Sequence, residues 1–140
     1  MTSSNIQRFD EVTGQLLSAL YESFPLPRSL LIEDFPVEGN SSDKDTNGRF
    51  FLACVDWLSN ADYLRTNGRD PRRGYTDVVL TAKGLEVLKA VPERLQTSLS
   101  LGETLVSVSK EGTKEVLRGV VSEVLSLGAR LVTTHLGLPG

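Results

Sequence analysis

Arginines crowd into one short stretch of the chain, and their type and spacing suit contact with a polyanion. They are Arg65, Arg69, Arg72 and Arg73. With Asp70 as the single acid among them, residues 65–73 carry four positive charges against one negative charge. Guanidinium groups on a loop suit phosphate contact or insertion into a narrow minor groove. The alternative is that these charges protect an exposed sheet edge from aggregation. We call residues 65–73 the arginine segment.

Residues suited to catalysis or metal binding are scarce. The chain has one cysteine, Cys54, and one histidine, His135, which excludes an internal disulfide and a histidine-cluster metal site. Cys54 lies on an apolar helix face with no histidine near it in sequence, so we expect a buried thiol. Residues 43–48 begin like a calcium-binding loop, but its twelfth position is Cys54 instead of glutamate. We therefore predict no enzyme activity, no catalytic residue, no metal and no cofactor.

Composition limits the class of protein. The 140 residues are the size of one domain, and 39% hydrophobic content is enough for a core. The net charge of −3 argues against a general polyanion binder and leaves that role to a local basic patch. Neither a long apolar run nor a secretory signal is visible, so we expect a cytoplasmic protein without membrane contact.

Apolar periodicity predicts four helices in the first 97 residues. They cover residues 4–24, a shorter stretch between Pro27 and Pro36, residues 49–60 and residues 82–91. Ser4 and Gln7 fit a capping box at the first helix, and Thr81 fits the N-cap of the fourth. Residues 37–48 carry many turn formers and one apolar residue, which predicts an exposed loop.

The pattern changes after the third predicted helix. Residues 63–65 and 75–80 are rich in aromatic and β-branched side chains, which predicts two short strands joined by a hairpin tip at 66–74. Residues 98–136 are helical again, with a possible capping box at Ser100 and Glu103. The glycines at 112 and 119 predict a bend or a break within this region.

Two short stretches carry a resemblance to a known family. Residues 57–64 (WLSNADYL) look like a third helix that runs into a first strand, and residues 80–84 (LTAKG) resemble a segment found in many winged-helix regulators. The resemblance implies a mainly α fold with a small β-hairpin wing, that is, a winged helix-turn-helix domain over residues 1–97. A C-terminal helical segment, residues 98–140, follows it.

The resemblance also implies a function. In winged-helix proteins that bind DNA, the third helix enters the major groove and the wing contacts the backbone or minor groove. On the third helix only Arg49 and Asn60 suit contact with a base or phosphate, and Asp56 opposes it. We therefore predict a DNA-binding transcriptional regulator or mobile-element protein that uses Arg49, Asn60 and the arginine segment. The alternative is an adaptor that binds a protein partner and no DNA.

The C-terminal segment suggests a further partner. Two apolar stripes run along it, formed by Leu101, Leu105 and Val108, and by Val120, Val124, Leu127 and Leu131. Stripes of this length are hard to cover within a small domain, so we predict a homo-oligomer formed through residues 98–136. The alternative is that these helices fold back over the first and fourth helices and complete a monomeric core.

Overall fold

The computed structural model describes residues 4–35, 44–92 and 98–135. Within these residues the chain forms five α-helices and one antiparallel sheet of four strands, so the mainly α class with a small sheet is confirmed. In chain order the elements are α1 (Asn5–Ser23), β1 (Arg28–Leu31), a 3-10 turn (Ile32–Asp34), α2 (Lys44–Asn60), β2 (Leu64–Arg65), β3 (Gly68–Asp70), β4 (Gly74–Leu80), α3 (Ala82–Lys89), α4 (Leu101–Glu111) and α5 (Lys114–His135).

The predicted helix caps are confirmed. Ser4 and Gln7 exchange side-chain-to-backbone hydrogen bonds of 3.1 and 3.2 Å at the start of α1. Ser100 and Glu103 do the same at the start of α4, at 3.0 and 3.1 Å. Thr81 Oγ1 accepts the backbone N–H three residues further on, at 3.0 Å, and so begins α3. These interactions lie within one turn, which is why local sequence reveals them.

The predicted short helix between Pro27 and Pro36 is wrong. This stretch forms β1 and the 3-10 turn, and β1 pairs antiparallel with β4, with Leu30 opposite Tyr75. A strand of four residues is stabilised by its partner strand, which comes more than 40 residues later in the chain. Local apolar spacing therefore could not distinguish it from a helix.

The third predicted helix is longer than expected. Its end at Asn60 is confirmed, but α2 begins at Lys44, inside the stretch predicted as a loop. Residues 36–43, which hold most of that predicted loop, lie outside the described residues. Among the described residues no α-helix separates β1 from α2, so the second helix of the winged-helix resemblance is not found there.

The sheet has the order β1-β4-β2, and β3 also pairs with β4. Leu64 lies opposite Leu80, which confirms the two predicted strands. The predicted hairpin tip is shorter than expected, because β3 forms within it and pairs with residues 74–76 of β4. Only residues 71–73 form the turn between β3 and β4.

Helix α1 lies at the centre of the fold, in contact with α2, α4, α5 and the sheet. Eight of the ten residues from Glu11 to Leu20 are buried, including Leu16 and Leu17. Gly14 permits close approach of α5, because a Cβ at this position would lie 2.6 Å from the Leu117 side chain. The buried Glu11 carboxylate pairs with Arg118 at 2.9 Å and with Lys114 at 3.8 Å, so charge also joins α1 to α5.

The two C-terminal helices belong to the same core. Of the predicted apolar stripes, Leu101, Leu105, Val120 and Val124 are buried, and Val108, Leu127 and Leu131 are partly buried against that core. The fold-back alternative therefore describes their packing, and the stripes that motivated self-association are covered within the chain.

The helices are separated at Gly112, whereas Gly119 lies inside an uninterrupted α5. Oligomerisation and a domain boundary after residue 97 stay predictions.

Replacement of a buried side chain in α4 tests whether this core is continuous. We expect Leu105→Ala to lower the free energy of unfolding by about 2–5 kcal/mol, because Leu105 is fully buried and the change leaves a cavity. Urea unfolding followed by far-UV circular dichroism and by the fluorescence of Trp57 on α2 measures this loss.

Both signals are expected to shift together, since α1 joins α4 to α2. The matched control is Val116→Ala, because that side chain is 52% exposed on α5 and its truncation removes little buried surface. An unchanged Trp57 transition in Leu105→Ala would contradict a single core and favour an independent C-terminal segment.

Candidate nucleic-acid interface

The outer face of α2 carries the two contact residues predicted on that helix. This face consists of the exposed residues Thr46, Arg49, Ala53, Trp57 and Asn60. Their spacing of three and four residues places them on one side of the helix, opposite the buried Phe51, Val55 and Leu58. Arg49 and Asn60 lie about 16 Å apart along the axis, at 1.5 Å per residue, and so mark its two ends.

Arg69 joins the arginine segment to α2. Its Nε donates to the Tyr75 hydroxyl at 2.9 Å, and its Nη2 lies 3.6 Å from Asp56 Oδ2. The same hydroxyl is within hydrogen-bonding reach of the Asp56 carboxylate and of the Leu52 carbonyl, the latter at 3.2 Å. Residues from β3, β4 and α2 thus form one polar cluster, which we call the Tyr75 cluster.

This cluster changes the electrostatics of the outer face. The Arg69 guanidinium offsets the charge of the Asp56 carboxylate, which the sequence presented as repulsive to DNA, and the Tyr75 hydroxyl donates to the same carboxylate. The ion pair itself contributes little stability, because both side chains are nearly half exposed, at 46% and 45%. Its effect is to hold the hairpin against the helix, so Arg69 serves here as a positioning residue.

The other arginines of the segment are exposed. Arg65 lies on β2 opposite Val79, and Arg72 and Arg73 lie in the turn after β3. Asp70 shapes this turn, since its carboxylate accepts the Arg72 N–H at 2.9 Å and its carbonyl accepts the Arg73 N–H at 3.0 Å. The fixed turn leaves both guanidinium groups at the end of the hairpin.

The LTAKG segment positions the hairpin relative to α2. Asp62 adopts a left-handed conformation after α2, at φ 67°, and the Tyr63 N–H donates to the Leu58 carbonyl at 2.9 Å, which ends the helix. Lys83 Nζ then donates to the Ala61 carbonyl at 2.7 Å and lies 4.4 Å from the Tyr63 ring centroid. This segment is therefore structural, and the role of its lysine was not predicted.

Gly84 permits a close approach of α3 to the chain before β2. A Cβ at this position would overlap the backbone carbonyl of Tyr63, so only glycine lets α3 approach the start of β2 this closely. The close contact fixes the direction in which the chain leaves α2 and enters the hairpin.

Trp57 is the residue that sequence reasoning misplaced. The many apolar residues between 49 and 60 predict a helix that is buried on most of its circumference, but the Trp57 side chain is 50% exposed. Its ring makes an edge-to-face contact with Phe9, with centroids 5.3 Å apart. Its spacing from Arg49 and Ala53, in steps of four residues, was the available signal that it shares their exposed face.

The structure gives no indication of chemistry elsewhere in its described part. Cys54 is buried, as predicted, and burial raises the pKa of its thiol to about 12, so the thiol is protonated at neutral pH. Among the described residues no group of three or more acidic, histidine or cysteine side chains is placed to hold a metal ion. Asp43 lies outside them, and residues 44–48 are helical rather than looped.

Comparisons with known proteins supply no family. No protein-family model matches the chain, and no curated sequence or solved structure matches it either. The winged-helix resemblance therefore stays a prediction that depends on the residues quoted for it. None of the helices described is long and apolar enough to cross a membrane.

Tyr75→Phe tests the polar cluster through its pH dependence. Burial, and next the bond with Asp56, raises the pKa of Tyr75 to about 12, above the value of about 10 for an exposed tyrosine. The neutral hydroxyl therefore stabilises the fold fully below about pH 10, and this contribution is lost as the pH rises through 12. We expect Tyr75→Phe to lose less stability than the wild type over that range.

Urea unfolding between pH 8 and 12 measures the difference. At pH 8 the variant is expected to be less stable by about 1–3 kcal/mol, because the buried Leu52 carbonyl and the half-exposed Asp56 carboxylate lose the hydroxyl they bond to. Tyr21→Phe is the control, since Tyr21 bonds to Ser100 outside the cluster, and it should keep the wild-type pH profile. An unchanged alkaline slope in Tyr75→Phe would contradict the role given to this hydroxyl.

Proposed function

We propose that this chain is a non-enzymatic DNA-binding protein of the winged-helix type, and that the arginine segment and the outer face of α2 contact the nucleic acid. Arg65, Arg72 and Arg73 supply phosphate contacts from the hairpin, and Arg49 and Asn60 supply contacts from the helix. Regulation of transcription or of a mobile element is the setting that this fold suggests by analogy.

The compensation of Asp56 is the observation that carries the proposal. A free carboxylate at the edge of the outer face would repel a phosphate backbone close to the place where the helix must approach it. Here its charge is offset by Arg69, and its oxygen lies against the Tyr75 hydroxyl. The exposed cations on either side can then act on a polyanion without opposition from this acid.

The placement of the hairpin gives a second line of support. The order of α2, hairpin and α3 is the part of the winged-helix resemblance that bears on DNA contact. The Tyr75 cluster joins β3 to α2 and so sets the position of the hairpin relative to the helix face. A preformed surface of this kind binds with a smaller ordering cost than a free loop.

A protein-binding adaptor is the second candidate function. The half-exposed Trp57 favours it, because tryptophan is enriched among the residues that dominate protein interfaces. Under this hypothesis the arginine segment keeps the hairpin soluble and the chain shows no affinity for DNA.

Removal of the two arginines at the hairpin turn separates the candidates. We expect the Arg72→Ala/Arg73→Ala variant to bind a labelled random-sequence DNA duplex more weakly than the wild type. The slope of log K against log salt should become shallower by about 1.8, because each phosphate contact contributes about 0.9 to it. Fluorescence anisotropy titrations at several salt concentrations measure both quantities.

The matched control removes the same charge elsewhere. Lys89→Ala/Lys110→Ala truncates two exposed lysines on α3 and α4, and should leave the slope unchanged. If the hairpin variant behaves like this control, the arginine segment is not a phosphate contact. If the wild type binds no DNA even at low salt, the proposal is wrong and the adaptor function remains.

A further inference from the structure

Trp57 occupies an unusual position for a large aromatic side chain. Half of its surface is exposed, although the helix that carries it buries Phe51, Val55 and Leu58 completely. One side of the ring packs against Phe9 on α1 in an edge-to-face contact with an angle of 83° between the ring planes, which restrains the orientation of the indole. The indole is therefore an exposed aromatic surface with a defined orientation.

The neighbours of Trp57 along the outer face leave room beside it and supply positive charge. Arg49, Ala53 and Trp57 follow one another at intervals of four residues, so they form one line along the helix. Ala53 is small and exposed, which leaves space between the indole and the guanidinium two turns away. On the side of α1, Arg8 lies over the Phe50 ring, 4.3 Å from its centroid.

We infer that the outer face of α2 accepts an unpaired base stacked on Trp57, so that the chain binds single-stranded or locally opened DNA in preference to intact duplex. The inference rests on the proposed function, and it names the form of DNA that the surface takes. An aromatic ring stacks on any base, and nearby arginines hold the phosphates of the same strand. A base inside an intact duplex is already stacked and is not available to the indole.

The composition of the face favours nucleic acid over a protein partner. Trp57 is its only large apolar residue, and its other members are Thr46, Arg49, Ala53 and Asn60. The core of a protein interface is a contiguous apolar area from which charged residues are depleted. A single aromatic ring in line with an arginine matches a strand with alternating bases and phosphates better.

The chain contains its own probe for this interaction, because Trp57 is its single tryptophan. The experiment titrates the full chain with a 12-nucleotide single strand of mixed sequence and with the duplex formed from it. Emission excited at 295 nm reports on Trp57, and anisotropy of a fluorescein label reports affinity. We expect the single strand to quench Trp57 strongly and to bind more tightly than the duplex.

Two variants test the role of the ring. Trp57→Ala should weaken single-strand binding by roughly 5- to 150-fold, the range observed for the loss of one stacked base, and change duplex binding by less than about twofold. Trp57→Phe should fall between the wild type and the alanine variant, since it keeps a smaller ring. Val116→Ala, an exposed apolar truncation on α5, serves as the control and should behave as the wild type. Circular dichroism confirms that each variant is folded.

The outcomes distinguish this inference from the proposed function. Salt-dependent binding with equal affinity for both DNA forms, or equal weakening of both in Trp57→Ala, overturns the stacking site and leaves DNA binding in place. Absence of binding to either form at low salt overturns both and leaves the adaptor function. Single-strand preference that disappears in Trp57→Ala and survives in the control supports the inference.

Discussion

The burial of α1 is the constraint on which the rest of the fold depends. A helix that is buried over most of residues 11–20 must be covered on several sides, and the sheet and α2 together cover only part of it. Helices α4 and α5 supply the remaining cover, which Gly14 permits by leaving space for Leu117. The buried Glu11 carboxylate also requires a cation, and Arg118 on α5 supplies it. The C-terminal helices are therefore part of what allows α1 to be buried.

The Tyr75 hydroxyl has a comparable role for the candidate interface. It lies at the meeting point of α2, β3 and β4 and contacts groups from each of them. Its ring is buried, whereas the Asp56 and Arg69 side chains that it orders are nearly half exposed. The buried Tyr75 thus fixes the relative position of two surface side chains, Asp56 and Arg69. Through Arg69 it also links the arginine segment to the core. The part of the surface formed by Asp56 and Arg69 is preorganised in this way.

Sequence reasoning succeeded where structure is decided locally and failed where a distant partner decides it. The caps at Ser4, Thr81 and Ser100 depend on residues within one turn, and all three are present. Strand β1 was missed because its hydrogen bonds go to β4, and β3 was missed because it lies within a stretch whose glycines and proline predicted only a hairpin tip. The same distinction between local and distant determinants applies to the candidate interface. Its cations were evident from composition, whereas the pairing of Asp56 with Arg69 required the fold.

The net charge of the chain, −3, is a poor guide to its interaction with a polyanion. At physiological ionic strength a charge is screened beyond about 8 Å, so acids on remote helices act little on a phosphate at the hairpin. Lower salt strengthens the attraction by the arginine segment and also extends the repulsion by those acids. Near physiological ionic strength only nearby charges act on that phosphate, so the pairing of Asp56 with Arg69 has its largest relative effect on binding under this condition. For the proposed contact, the charge within one screening length decides binding, and Arg69 offsets the charge of Asp56 there.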